Sequence, residues 1–249
     1  MVQDRRLPAR PFDLSGKTVD IWTVHVTAPD AVAARFRPFL TPGETARAAR
    51  FHFEHLQRSF TVSRAVLRLL LAQYLHIAPD KVELSYGSKG KPCLATHTEL
   101  QFNVSHSGDL ALFAFTFECG LGVDIEYIRP MEDMHDIANR FFCPEEASEL
   151  MSLPAYLRER AFFSCWTRKE AYIKAVGEGL SVPLNSFRVT LRPGEPARFI
   201  HLAHDTTAAR AWALHNLYPD HQYAAALAYQ DAPRSIRVIT LSEPTELLT

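Results

Sequence analysis

Residues 121–128 read LGVDIEYI and follow the apolar run ALFAFTF of residues 111–117. The alternation of apolar and acidic residues predicts a β-strand, in which every second side chain lies on the same face. Asp124 and Glu126 therefore share one face, and their like charges repel unless a cation or a basic group lies beside them. Carboxylate oxygens at this spacing suit Mg²⁺, which shares its coordination with substrate phosphates. A solvated sheet face is the alternative that this stretch alone leaves open.

The composition describes a folded protein without a strong charge bias. The chain has 249 residues, of which 47% are hydrophobic, enough for one large domain or two lobes. Its net charge is −1 and its isoelectric point is about 6.8, so neither a nucleic-acid partner nor a membrane surface is expected. The longest apolar run, residues 66–75, contains Arg68 and Gln73 and is too short to span a bilayer.

The cysteines favour a reducing compartment. Four occur, at positions 93, 119, 143 and 165, and none of them forms a CxxC pair. The first residues of the sequence do not form an apolar signal-peptide segment. We therefore expect reduced thiols and a cytoplasmic location.

Local patterns predict helix starts and strands. Thr41-Pro42-Gly43-Glu44 is typical of a helix start, with Thr41 as the cap and Glu44 completing a capping box. Pro144-Glu145-Glu146 indicates a second start. Strands are predicted over residues 19–26, 100–104, 110–117, 184–191, 211–217, 223–229 and 236–241.

The order of the predicted elements repeats. A long helix over residues 58–75 leads to the strand pair FNVSHSGDLALFAFTF, and a second over residues 158–176 leads to the strand pair WALHNLYPDHQYAAALAY. Repetition in a fixed order indicates two related lobes, although chance similarity is the competing explanation. The predicted organisation is a loose arm over residues 1–17, a first α/β lobe over residues 18–120 and a second over residues 121–249.

Three further groups of polar residues are candidates for a site. Glu170 and Lys174 lie one helical turn apart, which is either an ordinary surface ion pair worth about 0.2–0.5 kcal/mol or a third carboxylate with a neighbouring cation. Ser105 and His106 are adjacent on a predicted strand and diverge, so they are no nucleophile–base pair, and no GxSxG motif is present. A turn with hydroxyls and free N–H groups can instead hold a phosphate, unless the histidine is merely structural.

Basic residues form two more candidate contacts for phosphate. The loop GSKGKP, residues 87–92, lacks the glycine spacing of a P-loop, and Pro92 stands where Ser or Thr would bind Mg²⁺. Arg47 and Arg50 lie three residues apart and form either a phosphate contact or a solvated helix face. His52 and His55 lack a third ligand, so zinc is not favoured.

Six short stretches occur in an order that resembles one enzyme family. They are GKP (90–92), FNVSHS (102–107), GVDIE (122–126), RFF (140–142), WTRKEAYIK (166–174) and GEGL (177–180). Together they resemble the 4′-phosphopantetheinyl transferases, in particular the larger class that activates surfactin synthetase, over roughly residues 45–190. The resemblance implies an α/β (α+β) fold of two similar lobes related by a pseudo-twofold axis, with coenzyme A in the cleft between them.

The resemblance also implies a reaction and its partners. The 4′-phosphopantetheine arm of coenzyme A would pass to a serine of an apo acyl or peptidyl carrier protein, with Mg²⁺ as cofactor and adenosine 3′,5′-bisphosphate as product. A monomer is expected, since a two-lobed chain builds its own cleft. The competing functions are an Mg²⁺-dependent phosphohydrolase or nucleotidyl transferase acting on a CoA-like nucleotide, and a non-catalytic copy that only binds synthases.

The resemblance finally implies roles for individual residues. Glu170 would be the general base, directly or through a metal-bound water, while Lys174 and His106 would stabilise the leaving phosphate. Arg168 receives no role. The implied metal ligands are Asp124, Glu126 and Glu170. The implied coenzyme A contacts are Arg47, Arg50, Gly90, Lys91, Pro92, Ser105, His106, Lys169 and Lys174.

Overall fold

The computed structural model describes residues 12, 14, 17–87, 89–96, 98–177, 181–203 and 205–248. Most of the predicted arm over residues 1–17 lies outside these residues, as do Ser88 of the GSKGKP loop and residues 178–180 of the GEGL stretch. Within these described ranges, no helix is both long and apolar enough to cross a membrane.

Helices and strands alternate as the sequence predicts. The helices are α1 (Asp30–Ala34), α2 (Pro42–Ala48), α3 (Glu54–Leu75), α4 (Met134–Phe141), α5 (Pro144–Ser152), α6 (Ala155–Val176) and α7 (Thr206–Ala209). The strands are β1 (Thr18–His25), β2 (Leu84–Tyr86), β3 (Pro92–Leu94), β4 (Leu100–Ser107), β5 (Leu110–Phe117), β6 (Leu121–Tyr127), β7 (Phe187–Val189), β8 (Phe199–Leu202), β9 (Ala213–Leu217), β10 (Tyr223–Tyr229) and β11 (Ser235–Leu241).

Two predicted strands differ in length from the observed ones. The strand predicted over residues 184–191 is a 3-10 turn, Leu184–Ser186, followed by the short β7. β4 continues past the predicted end at residue 104 to Ser107, because Ser105, His106 and Ser107 all pair with β5. The phosphate-binding turn predicted at Ser105-His106 is therefore part of a regular strand.

The same topology occurs twice, which confirms the two-lobed α/β prediction. The first sheet has the order β11-β1-β5-β4, and the second has the order β6-β10-β9. In each lobe a first strand leads through helices and a hairpin, β2–β3 or β7–β8, to two further strands. The later of these two, β5 or β10, lies antiparallel between the other two, at the middle of its three-strand unit.

The end of the chain departs from the predicted lobe boundary. β11 pairs in parallel with β1, and so extends the first sheet although it follows the second lobe in sequence. Leu241, Leu247 and Leu248 then pack against the core of the first lobe. Residues 235–248 therefore belong to the first lobe, since β1 offers a free edge that β11 covers.

The two sheets pack face to face between the two long helices. α3 covers the outer face of the first sheet, and α6 covers the outer face of the second. The inner faces share a third core that includes Ile21, Leu112 and Val123, all at most 1% exposed. Burying one such aliphatic side chain contributes about 1.5–3 kcal/mol, so this shared core fixes the two lobes against each other.

The predicted helix start at Thr41 forms the expected capping box. The Thr41 hydroxyl accepts a hydrogen bond from the Glu44 amide at 3.2 Å, and the Thr41 amide donates to the Glu44 carboxylate at 2.9 Å. This start orients α2 and with it Arg47.

Candidate active site

The two edge strands β4 and β6 meet where the lobes join. Three backbone amides of β6 donate hydrogen bonds to side chains of β4 rather than to a neighbouring strand's carbonyls. These are Val123 to Asn103 Oδ1 at 2.9 Å, Ile125 to Ser105 Oγ at 3.4 Å and Tyr127 to Ser107 Oγ at 3.0 Å. The FNVSHS stretch therefore joins the lobes, a role that was not predicted from the sequence.

The same serines orient the two acids of β6. Ser105 Oγ donates to Asp124 Oδ1 at 2.8 Å, and Ser107 Oγ donates to Glu126 Oε2 at 2.8 Å. Each hydroxyl accepts from a β6 amide and donates to a carboxylate, which restricts the orientation of that carboxylate. Asp124 and Glu126 thus share one face, as predicted, and both are held by serines of β4. The contribution of Ser107 was not predicted.

Helix α6 brings a cation to these acids. Lys174 Nζ lies 2.6 Å from Asp124 Oδ1 and 2.8 Å from Ser105 Oγ. The Asp124 side chain is 5% exposed and that of Lys174 is 28% exposed, so the pair is partly shielded from water. Lys174 therefore pairs with the strand acid across the junction between β6 and α6, not with Glu170 as in an ordinary surface pair.

Gly122 explains how α6 comes so close to β6. A Cβ atom at this position would lie 2.1 Å from the carbonyl oxygen of Ala171 and 2.3 Å from the amide nitrogen of Ala175. Both atoms belong to the backbone of α6, so any side chain here would displace the helix. The sequence identified GVDIE by its acids alone, and the steric role of its glycine was missed.

The site is short of positive charge. Burial raises the pKa of Glu170 above its ordinary value, and repulsion by Asp124 raises it further. Burial and Asp124 likewise raise the pKa of Glu126, although the hydrogen bond from Ser107 lowers it in part. The site thus contains three carboxylates, and the Lys174 ammonium pairs with only one of them, Asp124.

His106 lies on the exposed side of β4, one residue after Ser105. The surrounding protein still shields the imidazole from part of the solvent, which lowers its pKa, and the positive charge of Lys174 lowers it further. Both effects favour the neutral ring, which can donate one N–H to an anion.

One observation indicates that the three acids suit a divalent cation. Asp124 Oδ2 is buried and has no hydrogen-bond partner among the described residues. A buried carboxylate oxygen without a donor is costly, and hard cations prefer such oxygens. Glu126 and Glu170, which Asp124 repels, also supply carboxylate oxygens as ligands.

The described part of the chain nevertheless forms no closed cluster of three His, Cys, Asp or Glu side chains around one point. The Lys174 ammonium lies against Asp124 instead. The three acids are therefore suitable metal ligands, and among them Asp124 has an unpaired oxygen that is buried in the described part of the chain.

The two predicted arginines line a groove on the first lobe. Arg47 and Arg50 are exposed and border a cavity of about 600 Å³. Its lining includes Tyr86 but not the site acids Asp124, Glu126 and Glu170. The Arg47 guanidinium lies 5.5 Å from the centre of the Phe60 ring. The Arg64 guanidinium, which was not predicted as a site residue, lies 5.6 Å from the centre of the same Phe60 ring and 6.0 Å from that of Tyr86.

The GKP loop is ordered by its own backbone. The Gly90 amide donates to the Gly87 carbonyl at 2.8 Å, and Gly90 has a φ of 80°, which only glycine adopts without strain. Pro92 begins β3. Lys91 donates to backbone oxygens of the second lobe at Leu121 and Lys174, so its ammonium does not point freely to a ligand.

Lys169 is wrongly predicted as a coenzyme A contact. Its side chain is fully buried, and its Nζ lies 2.8 Å from Glu146 Oε2. It also donates to the carbonyls of Leu184 and Phe187 at 2.8 and 2.6 Å. One residue of helix turns a side chain by about 100°, so Lys169 faces the core while Glu170 faces the site.

Arg168 is also structural. Its guanidinium is buried and donates to the side chain of Asn216 and to the carbonyls of Thr190 and Glu195. It therefore ties α6 to β9 and to the segment after β7, away from the three acids.

Lys169→Met is expected to destabilise the fold by about 3–5 kcal/mol, because it leaves the Glu146 carboxylate buried without its cation. Urea unfolding measures this loss, and adding Glu146→Gln should recover part of it. The KM for coenzyme A should not change. A raised KM for coenzyme A, together with wild-type stability, would show instead that Lys169 contacts coenzyme A.

Comparison with known proteins covers both lobes. Residues 120–228 match the "4′-phosphopantetheinyl transferase superfamily", and residues 31–118 match "4′-phosphopantetheinyl transferase, N-terminal". The 4′-phosphopantetheinyl transferase HetI of Nostoc sp. is 38% identical over 232 residues, 92% of this chain and 94% of its own length. The 4′-phosphopantetheinyl transferase Sfp of Bacillus subtilis is 28% identical over 84% of this chain and 91% of its own. A solved holo-[acyl-carrier-protein] synthase of Thermotoga maritima has a TM-score of 0.36 and 18% identity, covering 45% of this chain and 62% of that one.

Proposed function

The chain belongs to the 4′-phosphopantetheinyl transferase family and transfers the 4′-phosphopantetheine arm of coenzyme A to carrier proteins; we propose that it does so with Mg²⁺ held by Asp124, Glu126 and Glu170. The acceptor is a serine hydroxyl of an apo carrier protein, and adenosine 3′,5′-bisphosphate is released. The observation that carries the metal proposal is Asp124 Oδ2, a buried oxygen without a donor among the described residues.

The proposed binding of coenzyme A follows from its charge. The nucleotide is highly anionic and the chain is nearly neutral, so cations must be concentrated locally. Arg47 and Arg50 border an open groove in the first lobe and are the proposed contacts for the 3′-phosphate. The backbone of Gly90 and Pro92 supports the nucleotide, and His106 and Lys174 face the pyrophosphate.

The protein's own residues would prepare the metal-binding acids. Ser105 and Ser107 hold Asp124 and Glu126 in fixed orientations through hydrogen bonds of 2.8 Å. Mg²⁺, when bound, supplies a Lewis acid for the pyrophosphate oxygens. Burial and repulsion by Asp124 raise the pKa of Glu126 and of Glu170, and the charge of a bound ion would offset the repulsion.

The proposed chemistry is a displacement at phosphorus. The carrier's serine oxygen forms a bond to the phosphorus that bears the pantetheine arm, and the bond to adenosine 3′,5′-bisphosphate breaks. Glu170 accepts the serine proton through an intervening water, because a carboxylate that also binds Mg²⁺ has a lowered pKa and is a weak base by itself. Lys174 and the neutral His106 donate hydrogen bonds to the leaving phosphate as its charge increases.

Intact mass spectrometry tests this proposal on a panel of apo acyl and peptidyl carrier proteins. With coenzyme A and Mg²⁺, one or more carriers should gain the mass of one phosphopantetheine group, and EDTA should stop the reaction until Mg²⁺ is restored. Transfer that continues at an unchanged rate in EDTA would contradict the metal proposal while leaving the family activity intact.

The competing functions predict other results. A phosphohydrolase or nucleotidyl transferase would consume coenzyme A in the absence of any carrier. A non-catalytic copy would release no adenosine 3′,5′-bisphosphate with any carrier in the panel. The family membership of both lobes favours the transferase over these two.

We also propose that the protein acts as a cytoplasmic monomer. The site draws on β4 of the first lobe and on β6 and α6 of the second, so one chain supplies the catalytic residues named above. All four cysteines are free, and burial raises the pKa of the Cys143 thiol to about 11, which disfavours its oxidation. Light scattering after gel filtration checks the monomer.

A further inference from the structure

Lys91 belongs to the loop before β3 of the first lobe, but its ammonium reaches the second lobe. Nζ donates to the backbone oxygen of Leu121 at 3.2 Å and to that of Lys174 at 2.5 Å. Leu121 begins β6, and Lys174 lies in the last turn of α6. One side chain thus joins a first-lobe loop to the two elements that carry the acids and the lysine of the site.

The contact with α6 is a helix cap supplied from the other lobe. The last carbonyls of a helix have no intrahelical donor. The Gly177 amide bonds to the carbonyl of Ile173 at 2.9 Å, and the Lys91 ammonium supplies a donor to the next carbonyl, that of Lys174. A positive charge at this end also interacts favourably with the helix dipole.

The close approach of Lys91 involves a glycine. Gly177 ends α6 with a φ of 82°, and a Cβ there would lie 4.0 Å from Lys91 Cδ. The stem of Lys91 therefore runs beside the end of the helix before its ammonium enters the junction. Burial lowers the pKa of this ammonium, and the nearby Lys174 charge lowers it further, so its enclosure has a cost that the two carbonyls offset.

We propose that Lys91 is a positioning residue, whose ammonium holds the last turn of α6 against β6 and thereby keeps the Lys174 side chain at Asp124. This inference rests on the proposed function, because it explains how the geometry used for transfer is maintained. It differs from the sequence-based expectation that the Lys91 side chain binds a phosphate of coenzyme A.

The two roles of Lys91 predict opposite kinetic effects. A positioning residue acts on the reacting groups, and a displacement of about 1 Å at such groups can reduce the rate by about 10²-fold. Its loss lowers kcat and leaves the KM for coenzyme A nearly unchanged. A phosphate contact acts on ground-state binding, so its loss raises KM, and the effect shrinks as salt screens the charges.

The test compares Lys91→Met with Lys89→Met. Methionine keeps an unbranched stem and removes the donor, and Lys89 is an exposed lysine of the same loop that provides the same change of charge. With an accepted apo carrier and varied coenzyme A, Lys91→Met should lose about 10–100-fold in kcat with less than about a threefold change in KM. Lys89→Met should retain both constants.

Lys91→Gln provides a second variant, since it keeps an N–H donor without the charge. The kcat of Lys91→Gln should lie between those of the wild type and Lys91→Met, with an unchanged KM for coenzyme A. If Lys91→Met does not fold, the KM of Lys91→Gln distinguishes the positioning role from the phosphate contact. A more than tenfold rise in KM at wild-type kcat, in either variant, would overturn the positioning role. Absence of transfer by the wild-type protein would instead refute the proposed function itself.

Discussion

Asp124→Asn is expected to lower the rate of transfer from coenzyme A by roughly 10²–10³-fold, the range for loss of one preorganised electrostatic contact. Asparagine has nearly the same shape and can still accept the hydrogen bond from Ser105 Oγ. It removes the charge that Lys174 meets at 2.6 Å, and it removes the buried oxygen that has no partner in the described chain. The variant therefore loses the proposed metal ligand and the anchor of Lys174, and the substitution creates no cavity.

Three measurements separate these effects. Initial rates come from intact mass, folding from circular dichroism, and Mg²⁺ affinity from calorimetric titration of the metal alone. Asp30→Asn is the matched control, because Asp30 pairs with Arg37 at 2.8 Å on the open surface, where such a pair contributes little. Wild-type rates for Asp124→Asn would exclude Asp124 from the site. A low rate with unchanged Mg²⁺ affinity would leave it only as the anchor of Lys174.

The features predicted correctly from the sequence are those with a local cause. The strand over residues 110–117 has the predicted bounds, because a continuous apolar run between turn residues has few other solutions. The capping box at Thr41 forms because both of its partners lie within one turn. The common face of Asp124 and Glu126 follows from the period of a strand alone.

The features that were missed depend on contacts between distant segments. Nothing within residues 235–241 specifies β1 as their partner, yet β11 pairs there along its whole length. The burial of Lys169 depends on Glu146, which comes from a different helix. Residue types near a site therefore do not specify which side chains face it, since one step along a helix separates Lys169 from Glu170.

The candidate site also shows why neither lobe would hold it alone. β6 supplies Asp124 and Glu126, β4 supplies the hydroxyls that orient them, and α6 supplies Glu170 and Lys174. All three acids and the lysine therefore come from the second lobe, and the hydroxyls come from the first. Any change that moves α6 relative to β6 should thus disturb the chemistry before it disturbs the fold.

Gly122→Ala is expected to have this effect. The added Cβ would lie 2.1 Å from Ala171 O and 2.3 Å from Ala175 N, well inside contact distance. Backbone atoms cannot rotate away, so α6 must move, and with it Glu170 and Lys174. Overpacking of this kind costs about 1–3 kcal/mol, and a shift of about 1 Å at reacting groups lowers the rate by about 10²-fold.

Gly120→Ala is the control for Gly122→Ala. Its Cβ would lie 3.6 Å from Ala175 O, an ordinary contact with the same helix, and its φ is not in the left-handed region. Both variants add one methyl group two residues apart, so they differ chiefly in the displacement of α6. We expect Gly120→Ala to retain wild-type kcat and urea midpoint, and Gly122→Ala to lose most of its kcat with a lowered midpoint. Equal activity of the two variants would show that α6 need not touch β6 for transfer, and that the Lys174–Asp124 contact is dispensable.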